Sequence, residues 1–131
     1  MTEKQKDDLV KYRFTKAQEA IVEVNGLMQM HMWNLAVNRL YYACYYAVSA
    51  LLANSDISSK THAGTRQMFG QHFVVTGKVK KSTGEYHSKI FTYRQKGDYE
   101  DFFDYAESDI SELIPPAKEL VAEIGILLSP S

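Results

Sequence analysis

Arg39, Tyr42 and Tyr46 stand at i, i+3 and i+7 in a stretch that reads as helix, Trp33 to Asn54, with Asn38 beside them. That spacing lines the three side chains along one helix face over roughly 10 Å of axis. A guanidinium among polar aromatics could bind a phosphate through two parallel N–H bonds, or stabilise charge on a phosphoryl transition state. The bland alternative is an arginine satisfied by a carboxylate or by backbone carbonyls across a helical bundle. Spacing alone favours the bland reading.

Other chemistries lack their residues. No Glu is followed three residues later by His, the pattern of di-iron bundles. His-Glu-x-x-His, Gly-x-Gly-x-x-Gly, the P-loop pattern and Gly-x-Ser-x-Gly are missing too. His31, His62, His72 and His87 are scattered, so no metal site and no cofactor are expected. Cys44, the one cysteine, falls on an apolar stripe and reads as packed rather than nucleophilic. It also rules out an internal disulfide framework.

The elements that must position these residues are helical. Val10, Phe14, Ala17, Ile21, Val24 and Met28 alternate spacings of four and three, which predicts a first amphipathic helix over about 5–29. Trp33 to Asn54 carries a core stripe through Leu40, Cys44 and Leu51, and is aromatic on its other faces. So much apolar surface means burial on several sides, either inside the bundle or against another subunit. Thr61 predicts the N-cap of a short helix that carries Met68, Phe69 and Phe73. Ser82 with Glu85 reads as a capping box opening the next helix, and Gly97 as its stop. Asp98 to Asp104 forms an acidic, aromatic connector. A last helix runs from Ile110 to Ile124, and Pro115-Pro116 must break or kink it. No strand pattern persists. The expectation is one all-α domain over 1–131, an up-and-down bundle of four to five helices.

The 131 residues carry 15 basic and 16 acidic side chains, a net charge of -1. Taken alone that total disfavours a polyanion ligand, but it conceals a segregation. Between Lys60 and Lys96 eight basic residues face one acid, Glu85, a net of +7. Between Asp98 and Glu112 there are seven acids and no base, a net of -7. Either the acidic stretch folds over the basic one, or a basic surface stays open to phosphates or an acidic partner. The polar start, with no apolar run near the roughly 20 residues that span a bilayer, predicts a soluble, cytoplasmic protein without membrane contact.

Several segments together resemble a HEPN domain of the small prokaryotic type. They are Tyr12-Arg13-Phe14, Ala36-Val37-Asn38-Arg39-Leu40-Tyr41-Tyr42-Ala43 and Lys60-Thr61-His62-Ala63-Gly64. Phe69-Gly70-Gln71-His72-Phe73, Thr76-Gly77-Lys78, Tyr93-Arg94-Gln95 and Gly97-Asp98-Tyr99 complete the set. The resemblance covers nearly the whole chain. It implies a helical bundle that dimerises near the second helix. It also implies a metal-independent ribonuclease setting in toxin–antitoxin or defence systems, alongside a nucleotidyltransferase partner. The family's catalytic motif is an Arg followed, after four to six residues, by His. Arg39 is taken as the motif Arg, and after six intervening residues stands Tyr46, with no His between Trp33 and Thr61. A phenol with an ordinary pKa near 10 is a poor base at neutral pH.

The resulting expectation is a homodimeric module that binds RNA or a nucleotide and works with a nucleotidyltransferase. Its candidate ligand-binding residues are Asn38, Arg39, Tyr42, Tyr46, His62, Arg66, Lys78, Lys80 and Lys81. The alternatives are a weak ribonuclease using Arg39 with Tyr46 or a recruited His, and a purely structural dimeric partner.

Overall fold

The computed structural model describes residues 1–129. Thr2 opens α1 (Glu3–Gln29) with a reciprocal cap. Its hydroxyl accepts from the Gln5 amide, and the Gln5 side chain accepts from the Thr2 amide. The chain turns at His31, whose φ of +57° is left-handed, and enters α2 (Trp33–Asn54). Then come α3 (His62–Phe69), continued by a π-helical turn at Gly70–Val74, α4 (Lys81–Tyr99), the short α5 (Glu107–Ser111) and α6 (Ile114–Leu128). The all-α bundle is therefore as expected, with α1, α2, α4 and α6 as its long members.

At the centre lies α2, which packs on α1, α3, α4, α5 and α6. Leu40, Tyr41, Ala43, Cys44, Ala47, Val48 and Leu51 are all buried among α1 residues such as Ala17 and Val24 and α6 residues such as Leu120 and Ile124. Neighbours within one chain thus cover most of this helix, and its burial alone does not demand a second subunit. Burial in apolar surroundings pushes the Cys44 thiol well above its ordinary pKa, as expected for a packed rather than reactive cysteine.

Three boundaries differ from the expected ones. Ser82 does not cap α4, because the helix starts one residue earlier and its N-cap is Lys80. The Lys80 amide instead donates to Glu123 of α6 at 2.9 Å, and the Thr83 hydroxyl donates to the same carboxylate at 2.5 Å. A tertiary contact supplies the cap that local sequence seemed to offer. Gly97 is not a stop either, since α4 runs through it to Tyr99. A Cβ there would lie 3.1 Å from the Tyr105 ring, so the glycine serves close packing. The last helix is split in two, with Pro115 and Pro116 inside the first turn of α6, where their missing N–H groups cost nothing.

The acidic connector is tied down by one side chain. Asn34 donates to the carbonyls of Gly97 (3.2 Å) and Phe103 (2.9 Å), and its Oδ1 accepts from the Tyr105 amide at 2.8 Å. The Tyr105 hydroxyl donates to the Tyr93 carbonyl. These bonds fix the path of the chain away from α4 and hold the end of that helix against α2.

Candidate functional site

Tyr42 is the hub of the predicted set. Its ring carries the Arg39 guanidinium at 5.1 Å, and Tyr46 lies one turn on with ring centroids 5.9 Å apart. His62 of α3 meets the same ring edge-on at 5.8 Å. Asn38 bonds Arg39 at 3.3 Å and donates to Asp98 of α4 at 3.0 Å. Asn38, Arg39, Tyr42, Tyr46 and His62 are thus one cluster. Arg39 also faces Glu23 of α1 at 3.8 Å, so the carboxylate partner of the bland reading exists. Half of that Glu23 side chain is exposed, which makes the pair weak and easily exchanged for a phosphate.

The residue that sequence reasoning left without a role is Arg94. It is 7% exposed, and its guanidinium lies 4.7 Å from the Tyr41 ring centroid and 5.7 Å from that of Tyr42. It donates to the Tyr99 hydroxyl at 3.3 Å and pairs with Asp98 at 3.6 Å. Its Nε finds no partner among the described residues. A signal for it was present in the sequence. Four residues separate Arg94 from Tyr99, within the four-to-six spacing of the family motif, as six separate Arg39 from Tyr46.

His62 is held tightly. Its Nδ1 shares a short hydrogen bond with the Tyr41 hydroxyl, and its ring stacks on Tyr45 at 4.3 Å with planes 14° apart. Burial, then the positive charge of Arg94, lowers its pKa below the ordinary histidine value, so the imidazole is neutral at pH 7. Burial likewise holds Tyr41 as a neutral phenol.

The remaining predicted residues lie apart from the hub. Arg66 stacks its guanidinium on Phe91 at 4.4 Å, Phe91 meets Tyr41 edge-on and Tyr41 meets Tyr42, so Arg66 sits two rings from the hub. Lys78, Lys80 and Lys81 cluster at the opposite end of α4. Lys81 and Arg94 are thirteen positions apart, about 20 Å of helix. All three lysines are exposed, as are Lys60, Lys89 and Lys96, and none has an acidic partner among the described residues. The acidic stretch does not cover them. Among the described residues it meets the basic segment in the single ion pair Arg94–Asp98.

A helical bundle is the frame the resemblance implied, and here an arginine–tyrosine cluster lies between α2 and α4. The sequence model of the HEPN domain matches residues 10–127, and the chain belongs to the HEPN domain family. It is 34% identical over 124 residues to a UPF0332 protein of Thermotoga maritima, covering 95% of this chain and 94% of that one. Two proteins of Methanocaldococcus jannaschii bear the names "Putative toxin MJ0142" and "Putative toxin MJ0605". This chain is 33% and 34% identical to them, over 65% and 63% of its own length. The matches span 58% and 62% of those proteins. No helix among the described residues is long and apolar enough to cross a membrane.

Proposed function

We propose that this chain is a toxin-like HEPN module that binds RNA or a nucleotide and acts as a homodimer with a nucleotidyltransferase partner. The observation that carries the binding reading is the placement of two guanidiniums, Arg39 and Arg94, over one ring, that of Tyr42. A phosphate displacing Glu23 would gain the bidentate face of Arg39, with Arg94 adding positive charge from beneath. Tyr42 and Tyr46 offer rings for base stacking, and the six open lysines supply long-range attraction. The two relatives named as toxins support the toxin–antitoxin setting. Filter binding to short single-stranded RNAs at low and at higher salt tests this. Phosphate-driven affinity is strongest at low salt, so absence of binding there sinks the RNA reading.

A second reading is favoured by one observation. His62 is a neutral imidazole that meets Tyr42 edge-on and stacks on Tyr45, recruited from α3 rather than from the motif position. With the ring proton on Nδ1 and donated to the Tyr41 oxygen, a metal-independent ribonuclease would use Nε2 to take the 2′-hydroxyl proton as the 2′-oxygen attacks phosphorus, and the resulting imidazolium would return it to the departing 5′-oxygen while Arg39 stabilises the phosphorane charge. Incubation with labelled RNA in EDTA separates the two. Cleavage that is lost in both Arg39→Ala and His62→Ala supports the nuclease, and equal cleavage by parent and variants marks contamination.

A further inference from the structure

A cleft of about 530 Å³ opens on the other side of Tyr45 and Tyr46, between α1, the end of α2 and the loop that leads to α3. Its volume is that of an ordinary small-molecule site. Leu9, Leu52, Ala53 and Ile57 give it an apolar wall. Ser59 and Thr65 also line it, but their hydroxyls bond each other at 2.8 Å and need no ligand.

The charge in the cleft is unbalanced. Asp56 at the mouth is taken up by Lys6 of α1 at 3.3 Å. Arg13, half-buried on α1, has no carboxylate within ion-pair distance among the described residues. One N–H, from Nη1, donates to the Ser49 carbonyl at 3.2 Å, which fixes the guanidinium in place. A guanidinium carries five donors, so several remain for an incoming group. A cation held in a preset position beside apolar surface, with the one acid lining the cleft engaged by Lys6, suits an anion with a hydrophobic body.

We propose that this cleft binds a small organic anion, with a phosphate or carboxylate head on Arg13 and an apolar body against Leu9, Leu52 and Ile57. Arg13 anchors this site, and Arg39 and Arg94 anchor the other, so anion binding here does not require RNA binding there. Tyr46 borders both sites, and Tyr45 lines the cleft while stacking on His62.

Titration of the full chain with phenyl phosphate and with benzoate, followed by backbone amide NMR, tests the proposal. Inorganic phosphate and benzyl alcohol serve as the head-only and body-only probes. Saturable shifts are expected at Ser58, Ser59 and Thr65 with one or both aromatic anions, and the preferred anion tells phosphate from carboxylate. Either half-probe binds about tenfold more weakly or worse. Arg13→Gln weakens the preferred anion about tenfold and leaves benzyl alcohol unchanged. Because Arg13→Gln also loses the bond to Ser49, Ala53→Phe provides a second variant. It fills the cleft, keeps Arg13 and abolishes binding. No saturation by either anion, shifts centred on Asn38 and Arg39 instead, or undiminished binding in both variants overturns the proposal.

Discussion

The Arg94 guanidinium lies 3.6 Å from the Asp98 carboxylate, one turn along α4, and Asn38 of α2 donates to that same carboxylate at 3.0 Å. Here the basic and acidic segments of the chain meet, and among the described residues they meet nowhere else as an ion pair. One carboxylate turned inward therefore restrains the charge of the site, while the other acids of the connector leave the lysines of α4 open. Asp98→Asn keeps the shape and removes the restraint. RNA affinity at low salt should rise about threefold, with little change in stability, since a partly exposed pair contributes about 1 kcal/mol or less. Filter binding and urea denaturation of the same preparation check both halves.

Glu123 holds the start of α4 from α6 through the Lys80 amide and the Thr83 hydroxyl. Loss of a cap costs about 1 kcal/mol, and a charged acceptor serving two donors contributes more. Glu123→Ala should lower unfolding free energy by about 1–3 kcal/mol, read as a shift of the urea midpoint at unchanged slope. RNA affinity at low salt should not fall, because the arginine cluster lies about 20 Å away along α4 and the change removes a negative charge beside Lys80.

Asn34 makes three bonds to the segment that leaves α4. Asn34→Ala should cost about 2–4 kcal/mol, because two carbonyls and one amide lose their partner together. Hydrogen exchange should quicken first at Tyr105 and through the preceding connector, before α1 or α2 is affected.

His87 is 2% exposed, both its ring nitrogens lack partners among the described residues, and burial lowers its pKa to about 4. In the unfolded chain it titrates near 6.5. Between those values the unfolded state binds a proton that the folded state refuses. The stability this neutral histidine provides is full above about pH 6.5 and is lost as pH falls towards 4, on the order of 3 kcal/mol in all. His87→Leu should flatten that part of the stability–pH curve measured by urea denaturation at closely spaced pH.

The sequence made α1 and α2 legible because periodicity is a local signal, and the structure ends α2 where the Asn54-Ser55-Asp56 turn residues begin. The Thr61 cap was legible for the same reason, with its hydroxyl accepting from the Gly64 amide at 2.9 Å. What local pattern concealed was tertiary. Ser82 and Glu85 look like a cap, yet Glu123, far along the chain, does the capping. Gly97 looks like a stop, yet its missing Cβ makes room for Tyr105. In the site, Arg39, Tyr42 and Tyr46 share a helix and so were visible together. Arg94 comes from another helix, and only the packing of α4 on α2 brings it to the Tyr42 ring.

The arginine pair around Tyr42 is tested most directly by filter binding of a short single-stranded RNA at low salt, with the parent, Arg39→Gln, Arg94→Gln and the double variant. Circular dichroism confirms that each is folded. The parent should bind, each single variant should lose about three- to tenfold, and the double should lose more than either. A folded double variant that binds as tightly as the parent, or a parent that does not bind at low salt, contradicts the assignment of this cluster as the RNA site.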